Sequence, residues 1–276
     1  MSSAQWLLND TSVASNAYFT AEAGSSYKLK NSIGSSRNRI TSSPTPYEGA
    51  GCYASGVDNE DGFRFENSSG GALTGSSGTY YFDAYVYLKS GFTDLVSPFL
   101  TGNDSLIEYS WVQPMADTSL AFGGYDTVYG LTIDNATGTG KFSTNSWFRV
   151  QAKTNQYGVN EFRVFTGSNI NGATPSTTVT AFNFGSVYCH STYERLYGMV
   201  GNASIYPIYI DNIKFDNTAY PTRGTAYTAD ASSTITATGT ATMSNARVVA
   251  GSATVTATGT STATKNQPLD ASATIT

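Results

Sequence analysis

From residue 80 to residue 88 every second side chain is apolar. Tyr80, Phe82, Ala84, Val86 and Leu88 fall on one face of an extended chain, and Tyr81, Asp83, Tyr85 and Tyr87 on the other. A strict two-residue period commits a segment to a strand. Shorter runs of the same kind recur between clusters of Gly, Asn, Ser and Thr, and no window carries helical periodicity with caps. Phe63 and Phe65 alternate with Arg64 and Glu66; Ile107, Tyr109 and Trp111 alternate further on. Residues 120–122 and 128–133 flank Gly123-Gly124 as a hairpin would. In 147–154, Phe148, Val150 and Ala152 are expected inward and Trp147, Arg149, Gln151 and Lys153 outward, and 162–165, 179–184 and 196–200 follow as strands. The chain is therefore expected to be all-β, a two-sheet antiparallel sandwich of jelly-roll type.

The strand that closes this sandwich is 205–215, Ile-Tyr-Pro-Ile-Tyr-Ile-Asp-Asn-Ile-Lys-Phe, ending at the turn signal Asp216-Asn217. Regular alternation puts Tyr209, Asp211, Ile213 and Phe215 on one face and Ile208 and Ile210 on the other, which turns polar at Asn212 and Lys214. That change marks either a bulge at Asp211-Asn212 or the strand leaving the core. Residues 1–50 are polar, with anchor points at Trp6-Leu7-Leu8 and Ala17-Tyr18-Phe19 and strand-breaking prolines at Pro44 and Pro46; they read as an N-terminal docking arm. Residues 51–220 form the sandwich.

Residues 221–276 are a different material, rich in Thr, Ala and Gly. Ser-Thr-Ile-Thr-Ala-Thr-Gly-Thr from Ser233 returns as Ala-Thr-Val-Thr-Ala-Thr-Gly-Thr from Ala253, and a third copy begins at Asp270. Ile235, Val255 and Ile275 stand 20 residues apart, the signature of a repeat. Burying Ala and Gly yields little at ~25 cal/mol per Å² of apolar surface, so one such tail cannot build its own core. Either it is a flexible stalk or copies from several chains pair; the second is preferred here, and a trimer is one stoichiometry that fits.

Two segments resemble a known family. The run from Gly140 to Phe165, Gly-Lys-Phe-Ser-Thr-Asn-Ser-Trp-Phe-Arg-Val-Gln-Ala followed by a turn and Glu-Phe-Arg-Val-Phe, resembles the Trp-strand-turn-strand hairpin of concanavalin A-like lectin/glucanase domains, laminin G-like modules included. Tyr209-Ile210-Asp211-Asn212-Ile213-Lys214-Phe215 is similar to their late Ile-Asp-(Asp/Asn)-Ile strand. The resemblance spans about 51–220 and implies a concanavalin A-like sandwich.

Charge and motifs narrow the function. The net charge is −5 without a Lys/Arg cluster, which argues against nucleic acid. No apolar run approaches the roughly 20 residues that span a bilayer. The start, Met-Ser-Ser-Ala-Gln-Trp-Leu-Leu, lacks a basic and then apolar leader, so no secretory signal is expected. Cys52 and Cys189 are too few for a disulfide framework; each is a buried thiol, or the two pair. Glucanases of the resembled family carry a Glu-x-Asp-x-x-Glu strand, which this chain lacks, and His190 is the one histidine, so no enzyme is expected. Calcium is the one cofactor with candidate ligands, Asp58, Asn59, Glu60 and Asp61, and secondarily Asp211, Asn212 and Asp216, at no diagnostic spacing. For Asp211 a turn or backbone hydrogen bond is the plainer role.

Sugars present C–H faces that stack on aromatic rings, and two aromatic surfaces are candidates: Tyr81, Asp83, Tyr85 and Tyr87, and Tyr109, Trp111, Tyr125 and Tyr129. A lectin-like sandwich, a docking arm and a low-charge repeat tail together resemble virion proteins of tailed bacteriophages: minor tail, fibre or decoration proteins. That resemblance implies other virion proteins and copies of the same chain as partners, host-surface glycan as a target, and synthesis in the host cytoplasm. A surface adhesin or carbohydrate-binding module, and a glycan-degrading enzyme, are the rival readings.

Overall fold

A computed structural model describes residues 3–24, 26–32, 37–55, 62–70, 73, 79–92, 96–102, 109–125, 135–155, 158–180, 195–200 and 208–223, and in the tail 235–238, 242–243, 254–258, 262–263 and 274–275. The chain divides into two compact units, Met1–Thr222 and Arg223–Thr276.

The first unit contains β1 (Ser3–Trp6), β2 (Ser12–Val13), β3 (Tyr27–Ser32), β4 (Arg37–Asn38), β5 (Tyr53–Ser55), β6 (Gly62–Asn67), β7 (Tyr80–Tyr87) and β8 (Val96–Gly102). It continues with β9 (Tyr109–Pro114), β10 (Leu120–Tyr125), β11 (Asn135–Ala136), β12 (Trp147–Asn155), β13 (Gly158–Phe165), β14 (Thr177–Thr180), β15 (Arg195–Val200) and β16 (Ile208–Asp216). Fourteen of these make two seven-stranded sheets, and β2 and β4 pair separately with each other. One runs β1-β16-β7-β12-β13-β14 with β5 also beside β16; the other runs β11-β10-β9-β8-β15-β6-β3. Every pairing within them is antiparallel. The architecture is the expected all-β sandwich.

Aromatic rings from the two sheets meet in the core. Phe65 of β6 stacks on Phe215 of β16 at 4.6 Å and 13° and meets Phe82 of β7 edge-on at 5.6 Å. The inner face of β7 is Phe82, Ala84 and Val86, and that of β12 is Phe148, Val150 and Ala152, all buried as their alternation requires.

Two strands within residues 1–50, which the sequence presents as a docking arm, join the two sheets: β1 pairs with β16, and β3 with β6. Trp6, Leu8 and Phe19 are buried in the same core. Their few large apolar side chains therefore serve as packing anchors of the sandwich. Gly24 lies against β1 with φ of +76°, where a Cβ would stand 1.9 Å from the Ser3 carbonyl oxygen. Gly24→Ala is expected to cost more than about 1 kcal/mol in urea unfolding, since it adds a backbone clash to a disfavoured φ.

Two details depart from regular alternation. β16 carries a bulge between Asp211 and Lys214, with Asn212 at φ +42°. The extra residue keeps Asp211 on the outer face while Ile213 and Phe215 turn inward, so the four residues that strict alternation groups together are split. Gly123-Gly124 makes no turn. Both lie within β10, paired with Trp111 and Ser110 of β9. Residues 126–134 lie outside the described residues, as do Cys189 and His190, whereas Cys52 is a buried free thiol.

In the second unit β17 (Ile235–Thr238), β19 (Thr254–Thr258) and β21 (Thr274–Ile275) form a parallel ladder. β18 (Thr242–Met243) pairs likewise with β20 (Thr262–Ala263). Ile235 is opposite Val255, and Val255 opposite Ile275, so the 20-residue period of the sequence becomes the register of the sheet.

Candidate functional site

The outer face of the first sheet gathers the polar and aromatic side chains that alternate with its core. Strand pairing sets them in four rows. Tyr209, Tyr87 and Trp147 form the first; Asp211, Tyr85, Arg149 and Phe165 the second; Lys214, Asp83, Gln151 and Arg163 the third; Asp216, Tyr81, Lys153 and Glu161 the fourth.

The middle rows are roofed. Segment 44–48 crosses the second: the Tyr47 ring lies 4.0 Å from that of Tyr85, and the Glu48 backbone N–H donates to Asp211 Oδ2 at 2.8 Å. Asn171 accepts from the Tyr85 hydroxyl and donates to that of Tyr47, and Gly172 accepts from Arg149 through its carbonyl. Over the third and fourth rows, Pro221 accepts from Gln151 and Thr222 from Lys214. The Tyr220 hydroxyl donates to Glu161 beneath the Arg163 guanidinium, which lies 3.9 Å from the Tyr220 ring.

Charge is consequently confined. Asp83 and Arg149 are 0% and 2% exposed, with Nε 3.4 Å from Oδ2, and Gln151 donates to the same carboxylate oxygen at 2.8 Å. The Arg149 guanidinium also stacks 3.7 Å from the Phe165 ring. At Asp211, burial raises the carboxyl to about 7, against the lowering effect of the Glu48 backbone hydrogen bond. Its Oδ1 is buried without a hydrogen-bond partner. The Cys52 thiol is pushed up to about 12 by burial and by the Asp211 charge.

The first row is partly accessible: Thr45 accepts from Trp147 Nε1 at 2.8 Å, and Tyr209 is buried. Tyr87 and Trp147 are half-buried, their rings 5.5 Å apart and tilted by 58°, with Tyr209 edge-on to Tyr87 at 5.9 Å. Lys89 Nζ sits 5.0 Å above the Tyr209 ring. Two half-buried aromatic rings beside polar side chains are suited to stacking against the C–H face of a pyranose.

The sequence-level candidates separate in this geometry. Of Tyr81, Asp83, Tyr85 and Tyr87, only Tyr81 and Tyr87 reach solvent, while Asp83 and Tyr85 are wholly buried under the roof. Tyr109, Trp111 and Tyr125 belong to β9 and β10 of the other sheet, where Tyr109 is opposite Tyr125; Tyr129 lies outside the described residues. Asp58, Asn59, Glu60 and Asp61 also lie outside them, and no group of three or more His, Cys, Asp or Glu suited to a metal occurs among the described residues. Asp216 Oδ1 accepts from Thr218 and Ala219, a turn role, and Asp211 accepts the Glu48 amide. Trp147 was legible as an outward residue. Tyr47, Glu48 and Asn171 had no local signal, because they act from loops.

No family model matches the sequence, and no curated protein does. The solved structures that the chain matches include a protein of unknown function from Shewanella oneidensis, 12% identical, with 77% of this chain and 84% of that one covered and a TM-score of 0.45. Another is domain 4 of an extracellular arabinanase from Geobacillus stearothermophilus in complex with arabinotriose, at 14% identity, 71% and 84% coverage and a TM-score of 0.44. A third is a sialidase carbohydrate-binding module from Ruminococcus gnavus bound to sialyllactose, at 8% identity, 61% and 91% coverage and a TM-score of 0.37. Likenesses at this level assign no activity to the chain.

Proposed function

We propose that the chain is a non-enzymatic binding and display protein, a component of a tailed-phage virion that adsorbs to host-surface carbohydrate through its sandwich and joins copies of itself through its tail. The observation that carries the binding role is the half-buried Tyr87–Trp147 pair in the first row of this face. The carboxylates nearest the centre of that face, Asp83 and Asp211, are buried and engaged in holding the sheet and its roof, a poor arrangement for acid–base chemistry on a solvent-borne substrate. Placement in a virion as a tail, fibre or decoration protein rests on the organisation of the chain, a lectin-like sandwich followed by a low-charge Thr/Ala/Gly repeat.

Affinity electrophoresis through gels containing laminarin, mannan, arabinan or alginate tests the adsorption. Wild-type protein is expected to be retarded by at least one of them, and Trp147→Ala to lose about tenfold in affinity while still unfolding cooperatively, since tenfold is ~1.4 kcal/mol, within the range an aromatic contact contributes. Retardation by none of the polysaccharides would remove the carbohydrate role. Light scattering tests assembly: a discrete multimer that loses its stoichiometry on deletion of 225–276 is the expected result, and a strict monomer the contrary one.

A further inference from the structure

We propose that residues 45–48 are a built-in cover of the sugar-binding face of this sheet, and that an extended glycan binds by displacing them and stacking on Tyr85 as well as on Trp147. The inference rests on the carbohydrate reading above and concerns how much of the face the ligand uses.

The segment sits on the sheet as a ligand would. It forms no strand, and it contacts side chains of the sheet and of one neighbouring loop. Trp147 Nε1 donates to the Thr45 carbonyl at 2.8 Å, the Tyr47 ring lies 4.0 Å from that of Tyr85 at 32°, and Asn171 Nδ2 donates to the Tyr47 hydroxyl at 3.0 Å. Asn212 Nδ2 donates to Glu48 Oε2, and the Tyr85 hydroxyl is 3.4 Å from Glu48 Oε1. A pyranose could take over each of these contacts, its C–H face in place of the Tyr47 ring and its hydroxyl or ring oxygens in place of the Tyr47 hydroxyl and the Thr45 carbonyl.

The cover is also poorly matched to what it covers. It brings the Glu48 carboxylate beside that of Asp211, and it leaves Asp211 Oδ1 buried without a hydrogen bond, a cost that ends when the segment lifts and water or a sugar hydroxyl reaches that oxygen. Its outer side is wet: Thr45 is exposed, and Pro46, Tyr47 and Glu48 are half-buried. Exposed residues flank it on both sides, 41–43 before the buried Pro44 and Gly49-Ala50 after it, and Gly49 has φ of +69°. A segment that belongs to no strand can open locally without unfolding the sheet beneath it.

Displacement predicts the opposite sign from a supporting role. If the segment competes, weakening it removes the cost of opening and tightens binding. Tyr47→Ala, and separately Glu48→Ala as a check against misfolding of one variant, are run through the same laminarin, mannan, arabinan and alginate gels, with the unfolding curve of each recorded. The expected result is about tenfold tighter retention for both, with Trp147→Ala still weak. Weaker or unchanged retention of the folded variants, with wild type binding, overturns the displacement and leaves the carbohydrate reading intact. No retention of wild type or either variant overturns both.

Discussion

Asp83→Ala is expected to lower the unfolding free energy by about 3–5 kcal/mol, read as a shift in urea midpoint at constant slope. The carboxylate is fully buried at the centre of the outer face, where the Arg149 guanidinium and the Gln151 amide converge on its Oδ2. Truncation leaves the buried guanidinium without its counter-charge, and desolvated charge is costly once its partner is gone. The pair as a unit is a weaker contributor, because burying both ions carries its own penalty. Asp83→Ala combined with Arg149→Met is therefore expected to recover a large part of the loss. A double variant no better than Asp83→Ala alone would show that the stacking of Arg149 on Phe165 and its bond to Gly172, not its charge balance, is what the face depends on.

Acidification is expected to stabilise the sandwich through Asp211. Burial lifts this carboxyl from an ordinary 3.8 to about 7, so between those values the folded protein holds a proton that the unfolded chain has released. Stability from this group is present in full below pH about 4, declines as pH rises toward 7, and is flat above. The difference amounts to roughly 4 kcal/mol at most, at ~1.4 kcal/mol per pH unit. Asp211→Asn is expected to abolish the slope between pH 4 and 7 and to be more stable than wild type at pH 8. Urea unfolding at pH 5, 6, 7 and 8 checks it: a wild-type slope that survives the substitution assigns the effect to other groups.

Much of the sandwich can be read from residue order. The alternation in 80–88 and 147–154 identifies both faces of β7 and β12, and the structure buries Phe82, Ala84, Val86, Phe148, Val150 and Ala152 accordingly. Less of the candidate site can. The same alternation marks Tyr81, Asp83, Tyr85 and Tyr87 as outward, which they are, but outward is not exposed. The residues that close over Asp83 and Tyr85 come from prolines and polar loops with no periodicity to reveal a docking role. Gly123-Gly124 misleads for a related reason: glycines permit a turn without requiring one, and the pairing partner in β9 decides.

What the sequence determined by itself is whatever depends on neighbours along the chain: the two-residue period that assigns each strand a core face, and the 20-residue period that sets the tail strands in parallel register. Only the tertiary structure decided which parts of that outer face a ligand can touch. The Thr45–Trp147 and Glu48–Asp211 contacts join residues 102 and 163 positions apart, and the bulge that keeps Asp211 outward is fixed by pairing with β7. Such contacts follow from how two sheets and their loops fill space together, a property no local pattern of side chains encodes.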